Sequence, residues 1–186
     1  NYNISIVEKK TKKTVWKKQY KDNIQKGQNT IKQQIQIPDA IPWNIYNPQL
    51  YSCIVSFDYE KTGDRYAVDF GFRVFEAKEV DGKNNFYFNG KRVRIRSAID
   101  WGIYALTGLY PTSEMAYNSV KAAKDINHNC ISFHRRIGEQ LIMNEADEQG
   151  LFIYEEPGGL HTDKGCDMHV QPFTMKWMEE KIRRMV

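Results

Sequence analysis

Three absences narrow the reading of this chain before any motif does. It has only three cysteines in 186 residues, Cys53, Cys130 and Cys166, at spacings that suit neither a complete disulfide framework nor a zinc finger. It has no apolar run near the roughly 18 to 20 residues that would cross a bilayer, and Asn1 opens directly into strand-like sequence rather than a basic and then apolar leader. It also lacks a strong charge of one sign: 27 basic and 23 acidic residues leave +4. A disulfide scaffold, a helical membrane span and a highly basic nucleic-acid binder therefore lose ground. No cofactor is expected.

What is present is enough for a core, with 41% apolar residues and 13% aromatic. The basic excess gathers at Lys9-Lys10-Thr11-Lys12-Lys13, Lys17, Lys18 and Lys21. These lysines border alternating apolar positions, so they belong at turns and on the solvated face of strands, and no nucleic-acid motif accompanies them. Cys53 and Cys130 lie inside apolar runs and read as small buried residues.

The first half alternates as strands do. Ile4-Ser5-Ile6, Thr30 through Ile37, Tyr51 through Phe57 and Tyr66 through Phe72 show period two, separated by breaks such as Gly27-Gln28-Asn29, Asn47-Pro48 and Thr62-Gly63-Asp64. Short strands at such spacing describe an immunoglobulin-like β-sandwich over residues 1–80, with earlier strands expected before Asn1. Phe86 to Ile95 reads as a hairpin turning at Asn89-Gly90, the pair that accepts positive φ in a two-residue turn.

Beyond residue 97 the period changes. Pro111-Thr112-Ser113-Glu114 starts a helix with Met115, Val120, Ala123 and Ile126 at helical intervals, and Asn129 to His134 is a buried strand. Glu139 to Gln149 is a second helix closed by Gly150, Leu151 to Tyr154 a further strand, and Pro172 to Val186 a third helix. Apolar strands alternating with helices imply parallel pairing. About three βα units over residues 81–186 fit either a doubly wound sheet or an incomplete (β/α)8 TIM barrel.

Several residues then appear in a specific order: Pro48-Gln49-Leu50-Tyr51, Asp69-Phe70-Gly71-Phe72-Arg73, Phe86-Tyr87-Phe88-Asn89-Gly90-Lys91-Arg92-Val93, Lys121 to Asn129, Ala146-Asp147-Glu148-Gln149-Gly150-Leu151 and Glu155-Glu156-Pro157. In this order they resemble glycoside hydrolase family 2, the β-galactosidase/β-glucuronidase superfamily, where the sandwich joins the barrel. The resemblance implies part of a retaining exo-β-glycosidase acting on a carbohydrate β-glycoside. It also implies that the acid/base and nucleophile glutamates lie beyond Val186, so that no residue of this chain is catalytic and the chain alone is inactive. A secreted or periplasmic parent protein is the accompanying expectation. The rival from another class is a non-catalytic carbohydrate-binding module.

Barrel enzymes build their sites just after the strands. The candidate substrate-binding residues are therefore Asp100 and Trp101 after the first strand, His134 and Arg135 after the second, and Glu155 and Glu156 after the third. The sequence departs from the family's "R-x-x-H" pattern ahead of His134. The adjacent glutamates should point in opposite directions, which argues against a catalytic pair at one sugar carbon. His161, Cys166 and His169, with Asp163 and Asp167, match no standard zinc spacing and read as a loop, so no metal is expected. Open strand edges would need a partner, which leaves room for a homo-oligomer.

Overall fold

The computed structural model describes residues 1–57, 63–156 and 172–185, and the chain divides into two compact units, Asn1–Arg94 and Ile95–Val186. The chain is rich in β-structure in the first unit and carries its helices in the second. The division between the units falls after Arg94. The reason is the hairpin around Asn89: its backbone N–H donates to the Val74 carbonyl (2.9 Å) and its side-chain amide donates to the Trp43 carbonyl (2.9 Å), which ties it to the first unit.

The first unit holds two antiparallel sheets. Strands β1 (Tyr2–Glu8), β2 (Thr14–Tyr20), β3 (Tyr51–Phe57) and β4 (Arg65–Phe70) are ordered β2-β1-β3-β4. Period-two patterning sets the burial of β1, where Tyr2, Ile4 and Ile6 are buried and the residues between them are half-exposed. The lysines fall at the β1–β2 turn and on β2, an edge strand. There Lys12 takes a left-handed φ of 61°, Lys9 pairs with Asp69 at 2.6 Å, and Lys17 and Lys18 are exposed.

The second sheet is β5 (Phe75–Val80), β6 (Lys83–Phe88) and β7 (Lys91–Val93), ordered in sequence. Asn89 (φ 47°) and Gly90 (φ 76°) make the β6–β7 turn with two positive φ values, as the pair Asn-Gly favours. Trp43 and Tyr51, each 1% exposed, anchor this unit's core. Trp43 meets Phe88 edge-on at 5.7 Å, and a Cβ on Gly71 would stand 2.8 Å from the Trp43 Cβ, so the backbone there passes close to the indole only because position 71 is glycine.

One expected strand is not formed. Thr30 through Ile37 makes no ladder, although Ile35 and Ile37 are half-buried as the alternation requires. The surrounding segment is held by side-chain contacts: Gln33 donates to the Tyr2 hydroxyl (3.0 Å), and that hydroxyl donates to Asp22 (2.6 Å). Alternation reports which side chains turn inward; it does not supply a neighbouring strand.

The second unit contains β8 (Ser97–Asp100), α1 (Ser113–Asp125), β9 (Cys130–Phe133), α2 (Gln140–Gln149), β10 (Phe152–Glu155) and α3 (Pro172–Met185). The three strands are parallel and sequential, with Asp100, Phe133 and Glu155 level at their ends. Thr112 caps α1 by accepting the Met115 N–H, and Gly150 ends α2 in a left-handed conformation at φ 83°. Ile131 and Phe133 of β9 pack with Ala116 and Val120 of α1, Ile142 and Ala146 of α2, and Leu151. Met115 and Ile126 lie off this face: the helix buries Ala116 and Val120 instead, and Ile126 is 66% exposed at the C-cap.

A candidate carbohydrate-contact site at three strand ends

Level strand ends bring the six predicted residues into one neighbourhood. At β8, Asp100 accepts the Gly102 N–H through Oδ1 at 2.5 Å, and its carbonyl accepts the His134 N–H at 3.0 Å. The next residue, Trp101, is 60% exposed, and its ring meets the His134 imidazole edge-on, with centroids 4.3 Å apart.

After β9 the chain turns sharply, with Arg135 at φ 57°, a conformation non-glycine residues rarely adopt. Two carboxylates hold that turn. Glu156 accepts the Arg135 N–H at 2.7 Å and lies 3.7 Å from His134 Nδ1, while Glu155 accepts the Gly138 N–H at 2.9 Å. Glu155 and Glu156 thus bind the same loop from a strand end and the residue after it. Charged acceptors on backbone N–H groups are worth more than neutral ones, so a strained turn can persist there. Gly138 allows the loop to pass the Phe133 ring, since a Cβ at that position would overlap the ring carbons.

Three further residues complete the arrangement. Arg136 donates to the carbonyls of Gly102 (2.6 Å) and Trp101 (3.3 Å) and forms an ion pair with Glu139, whose side chain is 9% exposed. The Tyr104 hydroxyl donates to Glu139 at 3.4 Å. Burial raises the Tyr104 phenol above its ordinary pKa, and the charge of Asp100 adds to this while Arg136 opposes it. This group is a bonded frame beneath the exposed Trp101. Arg136, Glu139 and Tyr104 were not among the candidates named from the sequence; the i,i+3 spacing of Arg136 and Glu139 was the available signal.

A second concavity of about 580 Å³ lies between β8 and α1, walled by Ile99, Ile103, Ala122, Ile126 and His128 and bordered by Trp101. Its lining is mainly apolar. The converging polar groups are at the strand ends.

The geometry gains context from known proteins. Residues 2–73 match the family model described as glycosyl hydrolases family 2. Over that stretch the chain is similar to glycosyl hydrolases family 2. A β-galactosidase of Thermoanaerobacterium thermosulfurigenes is 26% identical over 124 residues, covering 66% of this chain and 17% of the relative. The solved β-glucuronidase of Parabacteroides merdae is 26% identical, with a TM-score of 0.70 over 87% of this chain and 20% of that one. β-Glucuronidase 3 of Bacteroides uniformis, at 24% identity, shares the fold with a TM-score of 0.72 over 98% of this chain and 22% of that one. The chain thus spans about a fifth of the length of these relatives.

The His161, Cys166 and His169 group lies outside the described residues. Among the described residues, no cluster of three or more His, Cys, Asp or Glu could hold a metal, and no helix is long and apolar enough to cross a membrane.

Proposed function

We propose that this chain supplies part of the scaffold and one wall of the sugar pocket of a retaining exo-β-glycosidase. In this reading, residues 1–80 are an immunoglobulin-like sandwich and residues 81–186 begin a (β/α)8 barrel. The observation that carries the reading is the convergence of Asp100, Trp101, His134, Arg135, Glu155 and Glu156 at the C-terminal ends of three consecutive parallel strands, where barrels place their chemistry. The sequential strand order supports a barrel over the flavodoxin-like order, in which the first strand lies between its successors.

Apolar character on both strand faces supports it as well. Ile131 and Phe133 pack with the helices, whereas Ile99 and Tyr154, in register with Ser132 on the opposite face, are 61% and 58% exposed. Parallel strands are ordinarily covered on both sides.

Within this reading Trp101 is a stacking surface, with Asp100 and His134 as hydroxyl partners, and Glu155 and Glu156 hold the loop between them. Retaining hydrolysis needs two carboxyl groups about 5 Å apart across the sugar. Glu155 and Glu156 are committed to backbone amides instead, so neither is assigned as nucleophile or acid, and the chain by itself is expected not to turn over.

Two measurements test the proposal. The purified chain should release no chromophore from aryl β-glycosides; turnover that survives purification to homogeneity would refute the assignment of the catalytic carboxylates elsewhere. Calorimetric titration with simple β-glycosides should give binding that Trp101→Ala weakens at least tenfold. Binding retained in full by residues 1–80 would instead favour a carbohydrate-binding module.

A further inference from the structure

The exposed Trp101 would sample many orientations if its loop were held only by its own backbone. Arg136 restricts it. The guanidinium bonds to the carbonyls of Trp101 and Gly102 on one side and to Glu139 on the other, and Tyr104 hydrogen-bonds Glu139 from the loop that follows β8. Gly102, at φ 61°, lies so close to the guanidinium that a Cβ there would overlap it. The planar fork of arginine can satisfy two carbonyls and a carboxylate together, which a lysine ammonium on a flexible stem does less well.

We propose that Arg136 is a positioning residue that locks the loop after β8 so that the Trp101 ring is held against His134 as a preformed sugar platform. It acts through the Trp101 and Gly102 backbone and need not touch the ligand. The assignment of a sugar to this platform rests on the function proposed above, while the clamp itself is a property of the free chain.

The Trp101–His134 contact provides a direct readout, because an indole ring current displaces the NMR signals of protons held against it. At fixed pH the His134 ring protons should stand displaced from their positions in Trp101→Phe, and the size of that step measures how firmly the two rings are held together. Arg136→Met should shrink that step by more than half while leaving the far-ultraviolet circular dichroism unchanged, and Arg136→Lys should restore part of it.

A full step in folded Arg136→Met, or no step in the wild-type chain, would overturn the proposal. Collapse of the circular dichroism in Arg136→Met would also overturn it, by showing that Arg136 holds the whole unit rather than the platform. Absence of sugar binding with the step intact would reject the functional reading and leave the clamp standing.

Discussion

At single residues, the chain uses glycine and charge where a larger or neutral group would not fit. Gly138 is the sharper case, because its missing Cβ makes room for the Phe133 ring at the center of the second unit's core. Gly138→Ala should therefore act as overpacking and cost about 1–3 kcal/mol, read as a lowered urea midpoint. Asp69 illustrates charge. Burial pushes its carboxyl up, yet hydrogen bonds from Lys9 and Ser52, with the charges of Lys9 and Lys12, bring the net pKa below the ordinary 3.8. A depressed folded value means that this carboxylate adds stability above the unfolded pKa, and that the contribution fades as pH falls through the lowered folded value. Lys9→Met should raise the Asp69 pKa in an NMR titration; an unchanged value would show that the pair at 2.6 Å does not control it.

Elements follow from local signals where those signals name a bonding partner. A cap was legible at Thr112 or Ser113 because either side chain can accept a backbone N–H of the first turn, and Thr112 does so at 3.2 Å. Thr112→Ala should cost about 1 kcal/mol by chemical denaturation. Asn89-Gly90 and Gly150 were legible for the same reason, since both demand backbone conformations that few residues accept. Thr30 to Ile37 was not, because its alternation shows in burial only at Ile35 and Ile37 and strand formation needs a neighbour, while the side chains of Tyr2, Asp22 and Gln33 tie that segment down. The expected stripe of α1 held at Val120 and Ala123 and missed at Met115 for a related reason: composition offers Met115 and Ala116 alike, and packing against β9 selects Ala116.

On the scale of the whole molecule, each unit has its own core, one around Trp43 and Tyr51 and the other around Phe133 and Ile142. Val120→Ala removes two methyl-sized groups from a fully buried site, worth about 2 kcal/mol with the cavity left behind. It should shift the unfolding of the second unit alone, followed by hydrogen exchange in β9, while exchange in β1 and β3 stays unchanged. A uniform shift would mean that the two units unfold as one.

Residue order by itself determined the two periodic halves, the caps and turns, and the family resemblance, because each depends on neighbours within a few positions or on motif succession. It also placed Asp100, Trp101, His134, Arg135, Glu155 and Glu156 at strand ends, since that needs only knowledge of where strands stop. Only the tertiary structure decided that Glu155 and Glu156 grip one loop, that Trp101 meets His134, and that Arg136 and Glu139 frame them. Those contacts join side chains and backbone from separate elements, and their geometry exists only once parallel pairing has set three strand ends level.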